Sequence, residues 1–141
     1  VEQVKARIPK LVLGRTDQFG VAKTSINPEF NPNVDQSIFQ GVRTVSFEFL
    51  DKRLFSLWIG YNSSFKWQRL DEFLPEISKA LNLPNMWKTS SWRGQELDCE
   101  DFQATVKLIA GSPSILLTDK AAKQVIEKRM ALKEEEESRQ P

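Results

Sequence analysis

The feature that most constrains the fold is a run of alternating residues from 42 to 61, which predicts a β-hairpin. Val45, Phe47 and Phe49 fall on one face of the first strand, and polar residues alternate with them. A loop of residues 51–53 keeps that face entirely apolar, with the pairs Phe49 with Phe55, Phe47 with Leu57, and Val45 with Ile59. A two-residue loop would divide the apolar residues between both faces, so the pattern favours a three-residue loop.

Helical periodicity is strongest in residues 69–82, where apolar residues recur at the spacing of one helix face: Leu70, Phe73, Leu74, Ile77 and Leu81. This spacing predicts an amphipathic helix that ends before Pro84. A short helix is expected over residues 2–8, and a last helix over 120–133 with Asp119 as its N-cap.

Further strands are expected on both sides of the 69–82 helix. Weak alternation predicts a strand over residues 19–26. A turn of helix is expected over 35–39, and another strand over 87–92. A second hairpin turns at Glu100-Asp101, with Leu97 opposite Ala104 and Cys99 opposite Phe102. A turn at Gly111-Ser112-Pro113 then leads into a strand over 114–117. The sequence thus predicts an α+β fold with an antiparallel sheet of five to seven strands, packed by an amphipathic helix.

At 141 residues the chain fits one domain, which we assign to residues 1–133. Residues 1–68 and 69–118 repeat the order of a helix followed by strands and a hairpin, so they are two similar halves if the chain arose by duplication. The alternative is that α+β proteins often repeat such units without duplication. Residues 134–141 are predicted to form a polar, flexible tail.

Composition excludes several kinds of chemistry. The chain has no His and a single Cys, so a Ser-His-Asp triad, a Cys-His pair and a His-rich zinc site cannot form. No cofactor or metal site is expected. The formal net charge of +1 gives no field that would attract nucleic acid, and no apolar run is long enough to span a bilayer. The chain starts with Val1 rather than Met, as expected of a mature or trimmed segment.

The candidate binding site is an aromatic-rich segment that covers the end of the first hairpin and the loop after it. Its candidate residues are Trp58, Tyr61, Asn62, Phe65, Lys66 and Trp67. Aromatic side chains on the face of a sheet opposite its core often form a binding patch for another protein, and Lys66 or Asn62 would supply polar specificity. The alternative is that another element covers these aromatic residues and makes them part of the core.

Two other clusters of side chains are candidates for a functional site. Residues 87–93 mix tryptophan with basic residues, which suits stacking on nucleic acid bases, but a surface strand with half-buried tryptophans explains the pattern better. Two carboxylates suffice for glycoside hydrolysis, and acidic residues cluster at 98–101 and 71–76. A tight turn and a helix start explain these positions without catalysis.

Residues 41–51 and 70–74 resemble segments of small, uncharacterised bacterial proteins that are exported behind a signal peptide. More distantly, the order of helix and antiparallel strands resembles the β-lactamase-inhibitor-protein and outer-membrane-assembly-lipoprotein modules. Those modules bind other proteins through the sheet or its loops. The resemblance implies a soluble periplasmic or secreted protein, and it transfers no functional residue.

We therefore expect a non-catalytic binding or interaction module of the bacterial cell envelope or exterior, whose partner is another protein bound through the aromatic patch. The alternative is a carboxylate-dependent hydrolase or an accessory domain of an enzyme. The oligomeric state does not follow from the sequence.

Overall fold

The computed structural model describes residues 1–8, 11–37, 39–90 and 94–139. Within these ranges the chain forms three α-helices, a short 3-10 helix (Pro28–Phe30) and seven strands. The α-helices are α1 (Glu2–Arg7), α2 (Leu70–Ala80) and α3 (Lys120–Arg139). The strands are β1 (Val21–Ile26), β2 (Val42–Leu50), β3 (Arg53–Tyr61), β4 (Lys88–Thr89), β5 (Gln95–Asp98), β6 (Phe102–Ile109) and β7 (Ser112–Asp119).

These seven strands form one antiparallel sheet with the order β1-β2-β3-β7-β6-β5-β4. The predicted α+β fold class with an antiparallel sheet is confirmed. The triplets β1–β3 and β5–β7 meet at the central pair β3–β7, so the second triplet repeats the first in reverse order across the sheet. A duplication of residues 1–68 in 69–118 stays a prediction.

The first hairpin has the predicted pairing except near its turn. Away from the turn the predicted pairs are present: Phe47 with Leu57 and Val45 with Ile59. The loop itself contains two residues, Asp51 and Lys52, and Phe49 pairs with Leu54 instead of Phe55. The predicted three-residue loop is therefore wrong.

A β-bulge at Phe55 explains why the rest of the register is nevertheless correct. Phe55 has no partner on β2, because its neighbours Leu54 and Ser56 pair with adjacent residues of that strand. The extra residue shifts the pairing by one position and returns the apolar side chains to a common face. Asp51 and Lys52 both have positive φ, 48° and 70°, as a two-residue turn that suits the strand twist requires.

The second hairpin turns where the sequence predicts. Leu97 pairs with Ala104, and the backbone N–H of Cys99 donates to the carbonyl oxygen of Phe102 over 3.0 Å. The turn therefore lies at Glu100-Asp101, and both Leu97 and Ala104 are buried.

The next turn lies earlier than predicted. Ala110 and Gly111 form it, with φ of 52° and 82°, and β7 starts at Ser112 instead of residue 114. Pro113 lies inside β7, beyond the last pair that this strand makes with β3, so its missing N–H removes no bond from that pairing. The turn predicted at Gly111-Ser112-Pro113 is therefore wrong. The prediction took Pro113 as a turn residue, whereas a proline is also compatible with the first residues of a strand.

The sheet has an apolar inner face and a polar outer face. Phe47 and Phe49 lie on the inner face and are buried, as predicted. Helix α2 packs on this face and buries Phe73 and Ile77 in one apolar cluster with strand residues that include Ile115. The helix predicted over 69–82 is thus confirmed, within two residues at each end.

Helix α3 is anchored at the turn of the first hairpin. The Arg129 guanidinium donates to both carboxylate oxygens of Asp51, over 3.0 and 2.7 Å, and to the carbonyl oxygen of Phe19 over 2.6 Å. Gly20 permits this contact, since it has φ of +86° and a Cβ there would collide with the Asp51 carboxylate. The ion pair holds α3 against one end of the strands, where β1 begins and β2 ends.

Helix α3 also continues past its predicted end at residue 133, as far as Arg139. Ion pairs at i,i+4 spacing join Lys133 to Glu137 and Glu135 to Arg139, and such pairs support exposed helical turns. Residues 134–139 are thus helical, and the flexibility of the tail stays a prediction.

Two short predicted elements differ from the structure. The stretch over residues 35–39 forms turns and no helix in its described residues; Ile38 lies outside them. Asp35 Oδ1 accepts hydrogen bonds from the backbone N–H and the hydroxyl of Ser37, 3.0 and 2.6 Å, which competes with helix formation. The strand predicted over 87–92 is reduced to β4, and residues 91–93 lie outside the described part of the chain.

Candidate functional site

A groove of about 1230 Å³ opens on the inner face, beside the first hairpin. Its floor is formed by apolar side chains of β2 and β3: Val45, Phe47, Leu57 and Ile59. Its other lining residues come from α1, α2 and the segments that flank the hairpin: Gln3, Val4, Ile8, Phe39, Gln40, Gly41, Val42, Tyr61, Ser64, Phe65, Lys66, Trp67, Ile77, Ala80 and Leu81. We call this site the inner groove. It has at least the volume of ordinary small-molecule pockets.

The inner groove is open because the two helices leave part of the sheet uncovered. Leu57 and Ile59 on its floor are only half-buried, although both face the apolar side of the sheet. Val4 of α1 and Ile8, directly after that helix, line the groove together with Ile77 of α2. Apolar surface of this kind gains free energy when a ligand removes it from water.

One wall of the groove is a stack of aromatic rings. Tyr61 and Phe65 stack with their centroids 4.0 Å apart, and the Trp67 ring meets Phe65 edge-on at 5.5 Å. Phe73 of α2 supports this stack from behind, 5.5 Å from Tyr61 and 6.1 Å from Phe65. Tyr61 is buried, and this burial raises the pKa of its hydroxyl.

The loop after β3 is held in place by its own polar groups. Asn62 Oδ1 accepts hydrogen bonds from the backbone N–H and the hydroxyl of Ser64. Gln68 Nε2 donates to the carbonyl oxygens of Asn62 and Phe65, over 2.9 and 2.6 Å. These bonds fix the aromatic wall, so it is available without a large ordering cost on binding.

Gly41 closes the contact between this loop and the start of β2. Its φ is +75°, and a Cβ at this position would lie 2.8 Å from Phe65 Cδ2 and 2.9 Å from Phe65 Cα. The backbone N–H of Asn62 donates to the carbonyl oxygen of Gly41 over 2.8 Å. A side chain at residue 41 would therefore push Phe65 out of the aromatic wall.

Among the residues that the structure describes, Lys66 is the one with a charged side chain in the lining of the inner groove. Its Nζ lies 4.4 Å from the centroid of the Trp67 ring, a cation–π geometry. The described residues include all 19 Asp and Glu of the chain, and none of the ion pairs among them involves Lys66. The ammonium group is exposed and can receive an anionic ligand group.

Trp58 lies on the other face of the sheet, as its alternation with Leu57 and Ile59 predicts. It lines a separate shallow depression of about 470 Å³ together with polar side chains such as Ser46 and Ser56. Its ring lies over Gly60, where a Cβ would collide with it. Trp58 therefore belongs to a different surface from the rest of the predicted site.

The six predicted site residues thus divide into three groups. Tyr61, Phe65, Lys66 and Trp67 line the inner groove; Asn62 shapes the loop without lining it; and Trp58 lies on the outer face. Sequence reasoning missed the floor residues and the parts of α1 and α2 that border the groove. Their apolar periodicity only indicates burial, so it carries no signal of an open surface.

The acidic clusters occupy exposed structural positions. Asp98 forms an ion pair with Lys120 at the start of α3, and Asp71 and Glu72 lie near Arg69 at the start of α2. No group of three or more His, Cys, Asp or Glu side chains with metal-binding geometry occurs among the described residues. None of the described helices is both long and apolar enough to cross a membrane.

Comparison of the chain with models of protein families, with characterised proteins and with solved structures found no match in any of the three. Functional inference therefore depends on the geometry of the inner groove.

Proposed function

We propose that this protein is a non-catalytic binding module that takes an apolar ligand, or an apolar segment of a partner, into the inner groove. The observation that carries the proposal is the apolar floor of the inner groove, on which Leu57 and Ile59 are only half-buried. Monomeric proteins seldom leave a contiguous apolar surface of this kind without a use for it.

The aromatic wall provides the affinity in this proposal. Trp67 and Phe65 are half-buried, so each presents part of its ring to the groove while the rest packs on the core. Rigid aromatic side chains contribute most to binding when they sit at the centre of a contact surface. A location in the periplasm or outside a bacterial cell is proposed on the strength of the resemblance of residues 41–51 and 70–74 alone.

A neutral fluorescent probe, N-phenylnaphthylamine, tests this proposal, since its emission rises in apolar sites. We expect saturable binding to the protein and an affinity about 30-fold lower, or about 2 kcal/mol, in Trp67→Ala. The melting temperature should change little, because Trp67 is only half-buried. Trp58→Ala, on the outer face, serves as the control and should leave the affinity unchanged.

A second variant separates binding from stability. Ala80 is exposed at the rim of the groove, so Ala80→Trp should block the probe without disturbing the core. Lys79→Trp makes the same change on a neighbouring exposed residue that does not line the groove. The proposal fails if the wild-type protein shows no saturable binding, or if both tryptophan variants bind the probe equally well. A loss of about 3 kcal/mol of stability in Trp67→Ala would instead assign this residue to the core.

A further inference from the structure

The lining of the inner groove is chemically asymmetric, which narrows the class of ligand. Its floor and most of its walls are apolar, its polar members include Gln40 and Ser64, and in the described part of the chain its ionisable groups are Lys66 and Tyr61. No carboxylate lines the groove. An anionic group near Lys66 would therefore meet a positive charge and no repulsion, whereas a cationic group would meet repulsion alone.

The charge lies at one end of the floor. Lys66 follows Phe65, which packs on Tyr61 and Gly41 at the end of the hairpin away from its turn. From there the lining follows β2 from Val42 to Phe47, five residue steps or about 17 Å. The half-buried Leu57 and Ile59 of β3 supply most of the exposed apolar surface of the floor. An apolar floor with a cation at one end matches a hydrocarbon chain with an anionic head.

We propose that the ligand of the inner groove is a single-chain amphiphile with a carboxylate head, such as a fatty acid. Its hydrocarbon tail lies on the β2–β3 floor and its carboxylate is bound by Lys66, beside Trp67. This assignment depends on the proposed function, since it names the ligand class of the same groove. A peptide segment is the competing occupant, but the polar side chains described in the lining are too few to satisfy the N–H and C=O groups of an extended peptide: Gln3, Gln40, Ser64 and Lys66.

Competition with N-phenylnaphthylamine tests the assignment, with dodecanoate and dodecanol as matched ligands used below their aggregation limits. We expect wild-type protein to bind dodecanoate about five- to tenfold more tightly than dodecanol, because Lys66 pairs with the carboxylate at a partly exposed site. Lys66→Gln should remove this preference, so that dodecanoate and dodecanol bind with similar affinity, and Lys66→Arg should retain it. Lys79→Gln, an exposed lysine outside the groove, controls for the general change in net charge.

Tail length tests the second half of the assignment. Each methylene added from octanoate to dodecanoate should raise the affinity by roughly fourfold while the floor still has room for it. If the probe binds but neither ligand displaces it, or if displacement is independent of tail length, the assignment of an amphiphilic ligand is wrong. The proposal that the protein is a binding module is then still supported by the binding of the probe. Equal binding of dodecanoate and dodecanol, or equal losses in Lys66→Gln and Lys79→Gln, overturns the role of Lys66. Absence of probe binding overturns the proposed function itself.

Discussion

The two strand triplets share one topology but differ in how deeply the paired residues Ile59 and Ile115 are buried where the triplets meet. In the half formed by β5–β7, Val106 and Ile115 have no exposed surface, whereas Leu57 and Ile59 of the first half are half-buried. The helices differ in the same sense: α2 has eleven residues, about 16 Å, and α1 has six, about 9 Å. A short helix beside a wide sheet leaves Leu57 and Ile59 partly uncovered, so the groove lies in the first half, although this half also contributes much of the buried core.

The largest effect that this comparison predicts is a difference between Ile115→Ala and Ile59→Ala. These two residues face each other across the central β3–β7 pair and have the same side chain. We expect Ile115→Ala to lower the free energy of unfolding by about 3 kcal/mol, because it leaves a cavity in the closed core. Ile59→Ala should cost about half as much, since part of its surface is already exposed. Urea unfolding measures both values.

The same pair of variants also separates the roles of the two halves. Ile59→Ala should alter the affinity for N-phenylnaphthylamine, because Ile59 lies on the floor of the groove, whereas Ile115 does not line it. Equal stability losses in the two variants would show that the floor beside Ile59 is as closed as the core around Ile115, and would contradict the comparison.

A smaller effect is expected from Ser78→Ala on α2. Ser78 is buried, donates to the Leu74 carbonyl oxygen over 2.7 Å and accepts from Trp87 Nε1 over 2.8 Å. Its hydroxyl holds the segment after α2 against the core, away from the lining of the groove. Removing it leaves the indole N–H without its acceptor, so we expect a loss of about 1.5 kcal/mol in urea unfolding.

The control for this prediction is a double-mutant cycle. Trp87→Phe removes the donor, so the combined Ser78→Ala and Trp87→Phe variant should lose less than the sum of the single variants. Strict additivity would show that the hydrogen bond does not couple these residues. Probe affinity should stay at the wild-type value in all three variants.

The sequence predicts the sheet because alternation acts through immediate neighbours. Phe47 and Leu57 were paired correctly from their apolar character alone, and so were Leu97 and Ala104. The sequence does not predict the bulge at Phe55. A three-residue loop, and a two-residue loop followed by a one-residue bulge in β3, place the same side chains on the same face beyond the turn.

The groove escaped prediction for a different reason. Leu57 and Trp67 have the sequence pattern of buried residues, and their partial exposure depends on how far α1 and α2 extend over the sheet. That relation arises from packing between segments remote in sequence. Composition alone indicates an aromatic candidate site, but it does not separate Trp58 from Tyr61, which strand alternation places on opposite faces of the sheet.

The smallest predicted effect concerns Asp51, at the turn of the hairpin that carries the floor. Hydrogen bonds from Arg129 hold the pKa of Asp51 below its ordinary value of 3.8. A carboxyl whose pKa is lower in the folded state contributes stability above the unfolded pKa and loses it as the pH falls through the folded pKa. Asp51→Asn should therefore be less stable than wild type at neutral pH, and the two should converge in acid. Urea midpoints measured across the acid range report this convergence.

Asp35 supplies the control for that pH dependence, because hydrogen bonds from Ser37 lower its pKa without a charged partner. High salt should reduce the effect of Asp51→Asn, in which an ion pair is lost, more than the effect of Asp35→Asn. Neither residue lines the inner groove, so probe affinity should be the same in both variants as in wild type. If Asp51→Asn instead weakens probe binding, the contact between α3 and the hairpin turn controls the shape of the floor. The accessibility of the inner groove would then depend on α3 as well as on the short length of α1.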